Sequence, residues 1–372
     1  MKNQRVSSIC KGDFYKIKIK EYDWIIFLSV LVLMGASLFH LYTLTFPSKV
    51  YYFFRQITWI GIGIGFLFLF SFLKVNLWKK TAYVFYGITV LLLVLVLFKG
   101  KGVYGARRWL EMETFSIQPS EIAKLSFIFV ISRLISGKDI GWREVILSFG
   151  ITLVFLILIA KQPDMGSALI FPLLWIGMLF LAGLSRKKFL ILIGSILCFL
   201  PLFYLFLRPY QKVRILTFLD PGRDPLGAGW SSLQSKITLG SGRLIGRGMG
   251  KALHSQLKFL PQPFTDFIFA TVGEQWGFIG TFFISGLYFI IIFKALKLSK
   301  NNGPSFAGLV SGGISMLIFL QVFINIGMTA GMMPITGIPL PLLSYGGSSA
   351  IMFLSEIGIL FAIKRETLAS SL

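Results

Sequence analysis

One carboxylate stands where a polar loop returns to apolar sequence, within the stretch 260–270. An acid at a membrane boundary costs free energy to keep, so Asp266 is a functional candidate. Pro261 and Pro263 exclude a helix before Thr265, and the apolar residues that follow predict that a helix begins there. We expect Thr265 or Asp266 to cap that helix, with Asp266 kept ionised by the helix N-terminus and able to bind a proton, a cation or a sugar hydroxyl. The alternative is that Asp266 is only a cap.

Two further polar strings lie at boundaries of apolar runs. The string 118–124 opens one run and places Glu121 and Lys124 three residues apart, on one helix face. The string 162–167 offers Asp164 at the same outer boundary. We predict an ion pair between Lys124 and Asp164 that supports an outer cavity. The alternative is that each side chain reaches water on its own.

A basic segment, 208–267, is too long to be a mere connection between helices. Its cations outnumber its acids, so it should attract anions. The cations that we predict to bind a substrate diphosphate are Arg214, Lys236, Arg243, Arg247 and Lys258. Glycine-rich patches at 240–242 and 246–250 would let the backbone approach a ligand closely. The alternative is a solvated, flexible loop whose charges touch lipid headgroups.

An apolar stretch full of helix breakers runs from Pro334 to Ser349. This pattern is typical of irregular backbone held at membrane depth inside protein or around a cavity, so we predict that it lines a site wall. The candidates for the cavity wall are Glu121, Glu274, Asn325, Ser344, Tyr345, Gly346, Gly347 and Ser348. Glu274 lies roughly on the same helical side as Asp266, although a partner on another helix is equally compatible.

Transmembrane helices must position these groups. The chain is 55% hydrophobic, contains 38 Phe and has a mean hydropathy of +0.77. Its apolar runs of about 20 residues match the thickness of a hydrocarbon core. We predict an all-α polytopic membrane protein with ten spans, at 24–46, 54–74, 80–98, 118–136, 144–161, 166–184, 188–207, 268–293, 305–327 and 348–364. The long outward loop 208–267 lies between spans 7 and 8 of a single membrane domain, 23–365, flanked by a basic N-terminal tail, 1–22, and a C-terminal tail, 366–372.

The distribution of charge orients this domain. More than half of the 37 Lys and Arg lie in tails and loops on the side that both termini share, which predicts that both termini are cytoplasmic and that the active face is outward. The net charge is +22, and the cations lie at the ends of the spans. This placement indicates that they bind anionic lipid rather than nucleic acid. The sequence has no nucleotide-binding fingerprint and no transition-metal cluster. A divalent cation such as Mg²⁺ or Mn²⁺ on Asp266 is the only cofactor that we consider.

Six separated strings together resemble the SEDS family of bacterial cell-wall synthesis. They are 118–124, 162–168, 218–221 with 224–227, 234–237, 265–270 and 339–349, in the expected order along most of the chain. Within the family, 234–242, 255–261 and 325–328 look like the elongation type, RodA, with the division type, FtsW, as the near neighbour. One departure is Gln275, where the family often shows a second glutamate after the residue that matches Glu274.

The resemblance implies a glycosyltransferase that polymerises lipid II, an undecaprenyl-diphosphate-linked disaccharide peptide, into peptidoglycan on the outer face of the cytoplasmic membrane. It implies a role in cell elongation and rod shape, with a class B penicillin-binding protein and the elongation machinery as partners. It also implies that Asp266 is the essential acid, with Lys124 and Asp164 as its buried supports. Because a capping carboxylate is a weak base, we expect an electrostatic or metal-holding role for Asp266 slightly ahead of general-base catalysis. A flippase for lipid-linked sugars and a structural scaffold are the rival classes.

Overall fold

A computed structural model describes residues 23–46, 49–103, 106–111, 116–137, 139–205, 209–220, 222, 229–248 and 259–370. This part of the chain is almost wholly helical. Its helices are α1 Trp24–Thr45, α2 Val50–Phe72, α3 Val75–Lys99, α4 Pro119–Ile135, α5 Trp142–Lys161, α6 Met165–Leu181, α7 Arg186–Leu205, α8 Pro209–Leu219, α9 Trp230–Ser241, α10 Ile268–Asn302, α11 Phe306–Thr329 and α12 Gly347–Ser370.

The predicted fold class is confirmed. Each of the ten predicted spans coincides with one helix, namely α1 to α7 and α10 to α12. In the described part of the chain, seven helices are long and apolar enough to cross a membrane by themselves, and α6 is a shorter apolar helix. The remaining helices, α8 and α9, lie in the segment that was predicted to be a long outward loop.

A small sheet, which the sequence analysis did not predict, lies between α3 and α4. Its strands are β1 Lys101–Val103, β2 Ala106–Glu111 and β3 Ser116–Ile117, paired antiparallel in the order β1-β2-β3. The register sets Leu110 opposite Ile117. This pairing returns the chain to the start of α4 and places Arg108 beside the turn between α5 and α6.

Three helices form the interior of the bundle. Most residues of α4, α11 and α12 are buried, whereas α2 and α3 present many exposed Phe and Leu side chains to the surrounding lipid. Lipid tails give no hydrophobic drive to helix association, so close packing at small residues has to supply it. At the α2–α12 contact, a Cβ on Gly63 would lie only 2.5 Å from Leu354 Cδ1. Glycine therefore permits this approach.

Helix α10 is broken at Gly277, which has φ +67° and ψ −164°. A segment that follows α9, residues 242–248, lies against the break, and we call it the splint segment. It supplies four backbone hydrogen bonds: Phe278 N–H to Arg243 O (2.9 Å), Ile279 N–H to Leu244 O (3.1 Å), Arg247 N–H to Glu274 O (2.8 Å) and Gly248 N–H to Gln275 O (3.1 Å). These bonds satisfy backbone groups that a break within a membrane would otherwise leave unpaired.

Candidate active site

Asp266 lies in the turn before α10 and does not cap the helix. The helix begins at Ile268, its N-cap residue is Phe267, and no side-chain capping bond is made. The predicted cap at Thr265 or Asp266 is therefore wrong. The physical reason is a compact turn in which Gln262 O accepts the N–H of both Thr265 (3.3 Å) and Phe267 (3.4 Å). This turn delays the helix and leaves the Asp266 carboxylate facing Gly337.

The irregular segment 334–346 braces the loop that carries Asp266. Asn325 donates from Nδ2 to Asp266 O (3.0 Å) and to Ile338 O (2.8 Å). Ser344 donates its hydroxyl to Thr265 O (2.6 Å). Tyr345 donates its backbone N–H to Phe264 O (2.8 Å). The structure thus brings Asn325, Ser344 and Tyr345 onto the backbone around Asp266.

Side chains from several helices hold the irregular segment in turn. Tyr288 of α10 donates its hydroxyl to Pro341 O (2.5 Å), and Ser37 of α1 donates to Leu343 O (3.2 Å). Gln56 of α2 accepts the N–H of Gly346 (3.3 Å) and donates to Ser344 O (3.4 Å). Irregular backbone at membrane depth needs such partners because no water is available there.

The start of α12 joins this wall to α4. Ser348 accepts the backbone N–H of Gln118 at 3.1 Å. Gly347 lies against the Trp59 ring, where a Cβ would come within 2.5 Å of Cδ2. Gln118 also donates from Nε2 to Asp164 Oδ2 at 3.4 Å, so the wall reaches the turn between α5 and α6.

The charges around Asp266 have opposing effects. Burial raises the pKa of Asp266 above its ordinary value of 3.8, although the residue remains partly exposed. A hydrogen bond from Thr265 and the charges of Arg108 and Arg214 act to lower this pKa, while the charge of Asp164 raises it. The net direction is opposite to the one expected of a capping carboxylate. A carboxylate with a raised pKa is a better proton acceptor.

The structure gives Lys124 and Asp164 separate partners instead of the predicted ion pair. Lys124 Nζ lies 2.6 Å from Glu121 Oε1, and both side chains are buried. Asp164 caps α6 by accepting the N–H of Ser167 (3.3 Å) and lies 3.6 Å from Arg108 Nη1. The local partner one helical turn away is available to Lys124 as soon as α4 forms.

Arg108 is a candidate site residue that the sequence analysis missed. It donates a hydrogen bond to Pro163 O and pairs with Asp164. Its positive charge also acts to lower the pKa of Asp266. The sequence analysis did not single it out among the 37 Lys and Arg. The signal that could have found it is its proximity to the string 118–124 across a loop that can hold a short antiparallel sheet.

The other predicted cations are dispersed. Arg214 of α8 donates to Ile335 O (3.3 Å), and the stem of Lys236 lies against Gly331. Arg243 and Arg247 are exposed on the splint segment. Lys258 lies outside the described residues. Glu274 is buried within α10, where its carbonyl oxygen accepts the N–H of Arg247.

The donor set is compatible with one kind of metal ion. Within the described residues, no three His, Cys, Asp or Glu side chains are grouped so as to hold a metal. A Mg²⁺ ion commonly uses only one or two carboxylates and takes its other ligands from water and substrate phosphates. Asp266 could supply one such carboxylate. Binding of a divalent cation at Asp266 therefore stays a prediction.

Fold and site together define a multi-span membrane protein that holds Asp266 within the electrostatic reach of Arg108, Arg214 and Asp164. The FtsW/RodA/SpoVE family model, described as a cell cycle protein, matches residues 19–369, and the chain belongs to this family. This is the SEDS family that the motifs indicated.

Relatives with curated names agree. The chain is 39% identical over 283 residues to peptidoglycan glycosyltransferase MrdB of Escherichia coli, covering 75% of this chain and 76% of the relative. It is 35% identical over 359 residues to the probable peptidoglycan glycosyltransferase FtsW of Wigglesworthia glossinidia brevipalpis, covering 92% and 93%. The chain is accordingly a membrane glycosyltransferase.

Solved structures share the fold. A chain from a peptidoglycan synthase complex, described as coordinating polymerization and crosslinking, superposes with a TM-score of 0.82 at 30% identity, covering 93% of this chain and 98% of that one. The crystal structure of the rod shape determining protein RodA of Thermus thermophilus gives a TM-score of 0.70 at 26% identity, covering 93% and 97%.

Proposed function

We propose that this protein polymerises lipid II into peptidoglycan strands, with the carboxylate of Asp266 as its general base. The observation that carries the proposal is the placement of Asp266. Asn325 fixes the backbone of Asp266, and burial raises the pKa of its carboxyl group. The positive charges of Arg108 and Arg214 act in the opposite direction on this pKa. A proton acceptor beside cations is what glycosyl transfer from a diphosphate requires.

In the proposed reaction, the 4-hydroxyl of the acceptor sugar attacks the anomeric carbon of the donor sugar. A new glycosidic C–O bond forms while the bond from that carbon to the diphosphate oxygen breaks. The hydroxyl proton passes to the Asp266 carboxylate, and the polyprenyl diphosphate leaves with the bonding electrons. Arg108 and Arg214 stabilise the charge of the leaving diphosphate. The raised pKa of Asp266 favours this general-base role over the electrostatic role expected from a cap.

A divalent cation would be held by Asp266 together with the diphosphate oxygens, where it would add positive charge at the leaving group. The protein's own contribution is independent of that ion. Hydrogen bonds from Asn325, Ser344 and Tyr345 hold the backbone that carries the carboxylate, and the arginines neutralise the substrate.

We place the enzyme in cell elongation, with a class B penicillin-binding protein as the crosslinking partner. The elongation-type motifs and the likeness to RodA support this, as does the likeness to a chain of a synthase complex for polymerization and crosslinking. The likeness to FtsW supports the division-type alternative. Depletion in the native host discriminates between the two roles: loss of an elongation enzyme gives rounded cells, and loss of a division enzyme gives filaments.

For orientation, we propose cytoplasmic termini and an outward site in the bacterial inner membrane. Cations crowd the end of the bundle opposite the site, where Asp23 pairs with Lys364 (3.2 Å) and Lys294 (3.5 Å). In a chain whose native cysteines are replaced by serine, an impermeant thiol reagent added outside intact cells should label Ile245→Cys and spare Ser370→Cys. The reverse pattern would invert the orientation.

The central test is Asp266→Asn, which keeps the size of the side chain and removes its charge. Polymer formed from purified lipid II with the crosslinking partner present should fall by about 100-fold or more, because a general base contributes that much. Asp220→Asn, an exposed acid at the end of α8, is the matched control and should retain the parental rate.

The same assay separates the rival classes. A near-parental rate for Asp266→Asn would remove the catalytic assignment. Transport of lipid II across vesicles without polymer would indicate a flippase. Partner binding with neither activity would indicate a scaffold.

A further inference from the structure

The break at Gly277 divides α10 into two pieces, and we call residues 268–276 the half-helix. This piece begins two residues after Asp266. A break interrupts the hydrogen-bond ladder of a helix, so the half-helix does not take its direction from the longer piece beyond Gly277. Contacts with neighbouring elements must therefore fix its direction.

A buried histidine of α1 contacts the half-helix. The Nε2 atom of His40 lies 2.8 Å from Thr271 Oγ1, and both residues are fully buried. The Thr271 hydroxyl donates its own hydrogen to Ile268 O at 2.8 Å. The hydroxyl oxygen can then only accept in its contact with the ring, so Nε2 of His40 must be the donor. This contact assigns one tautomer to His40.

Two further contacts lie one helical turn along the half-helix. The hydroxyl of Thr43 lies within hydrogen-bonding distance of Gln275 Oε1 (2.9 Å) and of His40 O (2.7 Å). The rings of His40 and Trp276 meet edge to face, with their centroids 5.4 Å apart and their planes at 75°. Thr271 and Gln275 are four residues apart and so share one face of the half-helix. Contacts at both ends of this face fix the tilt and the rotation of the half-helix relative to α1.

The contact with α1 reaches the proposed base through the backbone. The N–H of Thr271 donates to Phe267 O at 3.3 Å, and Phe267 directly follows Asp266 in the chain. The same face of α1 also holds the irregular segment, since Ser37, one turn earlier in α1, donates to Leu343 O at 3.2 Å. Helix α1 thus sets the half-helix and the irregular segment relative to each other.

We propose that His40 is a positioning residue for glycosyl transfer: its hydrogen bond to Thr271 fixes the half-helix, and the half-helix fixes the Asp266 carboxylate. The inference rests on the proposed function for the role of Asp266. His40 is fully buried between α1 and α10, so it acts through the half-helix and not on the substrate. A shift of about 1 Å in a reacting group can cost about 100-fold in rate, so a hydrogen bond that restrains a tilt can change kcat from a distance.

Removing the hydrogen bond from either side tests the inference. His40→Asn is too short to reach Thr271, whereas Thr271→Val keeps the shape of the side chain and loses the hydroxyl. With purified lipid II and the crosslinking partner present, each variant should show a kcat about tenfold lower and a KM within about twofold of the parent. His40→Gln carries an amide N–H as far from the backbone as Nε2, so it should recover most of the rate. The double variant should be no slower than the slower single variant, because the two changes remove one hydrogen bond.

Thr89→Val is the matched control. Thr89 of α3 is also fully buried and donates to a carbonyl oxygen of its own helix, Phe85 O, at 2.7 Å. This variant should keep the parental kcat, and an equal loss in it would show that the effect follows general destabilisation and would overturn the inference. A parental kcat in both His40→Asn and Thr271→Val, additive losses in their combination, or no recovery in His40→Gln would overturn it as well.

Hydrogen exchange supplies a readout that does not depend on catalysis. Amides in the first turn of the half-helix should exchange about tenfold faster in His40→Asn and Thr271→Val than in the parent or Thr89→Val, measured by mass spectrometry on the full-length protein in nanodiscs. If they do so while Asp266→Asn polymerises lipid II at the parental rate, the restraint by His40 stands and the catalytic assignment fails. If Asp266→Asn is inactive and exchange is unchanged in both variants, the proposed function stands and the inference about His40 fails.

Discussion

Asn325 joins the backbone of Asp266 to the irregular segment beside it. Its Nδ2 donates to the carbonyl oxygen of Asp266 at 3.0 Å and to that of Ile338 at 2.8 Å. Asn325 is fully buried in α11, within one of the central helices. A buried amide in the rigid core therefore helps to set the position of the proposed catalytic base.

Asn325→Asp should damage polymerisation through this link. A carboxylate has no N–H to donate and would face two carbonyl oxygens, and each buried polar group left unsatisfied costs about 1–3 kcal/mol. We expect a polymerisation rate at least about tenfold lower and a lower unfolding temperature. Asn301→Asp, at an exposed position, is the control and should change neither quantity. Equal behaviour of the two variants would show that Asn325 does not position Asp266.

The pH dependence of polymerisation should report the environment of Asp266. As a base it is active when ionised, so the rate should rise with pH through a pKa above the ordinary 3.8. Arg214→Gln removes a charge that lowers this pKa, so the acidic limb should move to higher pH. Asp164→Asn removes a charge that raises it and keeps the capping oxygen, so the limb should move to lower pH. Initial rates across a pH series measure both shifts.

Shifts in the same direction for both variants would contradict this electrostatic arrangement.

The raised pKa of Asp266 has a matching consequence for stability. Folding favours the neutral carboxyl, so this stabilising contribution is present at low pH and is lost as pH rises through the folded pKa. Asp266→Asn should therefore unfold at a temperature no lower than the parent at neutral pH.

The pair of Glu121 and Lys124 should be energetically coupled. Lys124→Met leaves the carboxylate of Glu121 buried without its partner and should cost about 3–5 kcal/mol, whereas adding Glu121→Gln should restore part of that loss. Lys124→Met combined with Asp164→Asn should be nearly additive, because each residue has its own partner. Thermal unfolding of the single and double variants measures both cycles. Coupling of Lys124 to Asp164 rather than to Glu121 would support the pair predicted from the sequence.

The sequence could predict the helices because bilayer thickness sets the length of an apolar run. Such runs remain visible whatever the helices pack against. The three-stranded sheet could not be predicted in the same way, since β3 has only two residues and depends on its partner strand. The break at Gly277 was equally hidden, because one glycine in an apolar run is ordinary until the splint segment lies against it.

The candidate acid could be found from sequence, whereas its state could not. Asp266 is conspicuous because a carboxylate is rare beside apolar sequence. Whether it caps a helix depends on the turn at Gln262, and its pKa depends on burial and on charges from α8, the small sheet and the turn before α6. The sequence likewise offered Glu121 and Asp164 as possible partners of Lys124. The packed bundle shows that Lys124 contacts Glu121.

The break in α10 should tolerate only glycine. Gly277 has a positive φ, a backbone conformation that costs a residue with a side chain about 1–3 kcal/mol. A Cβ at this position would also lie 2.5 Å from Leu244 O. Gly277→Ala should therefore lower the unfolding temperature of the purified protein, because the splint segment must move. Gly286→Ala, in a regular and unobstructed part of the same helix, should be neutral or stabilising by about 0.5–1 kcal/mol. If Gly277→Ala proves as stable as Gly286→Ala, the break in α10 is not fixed by the splint segment.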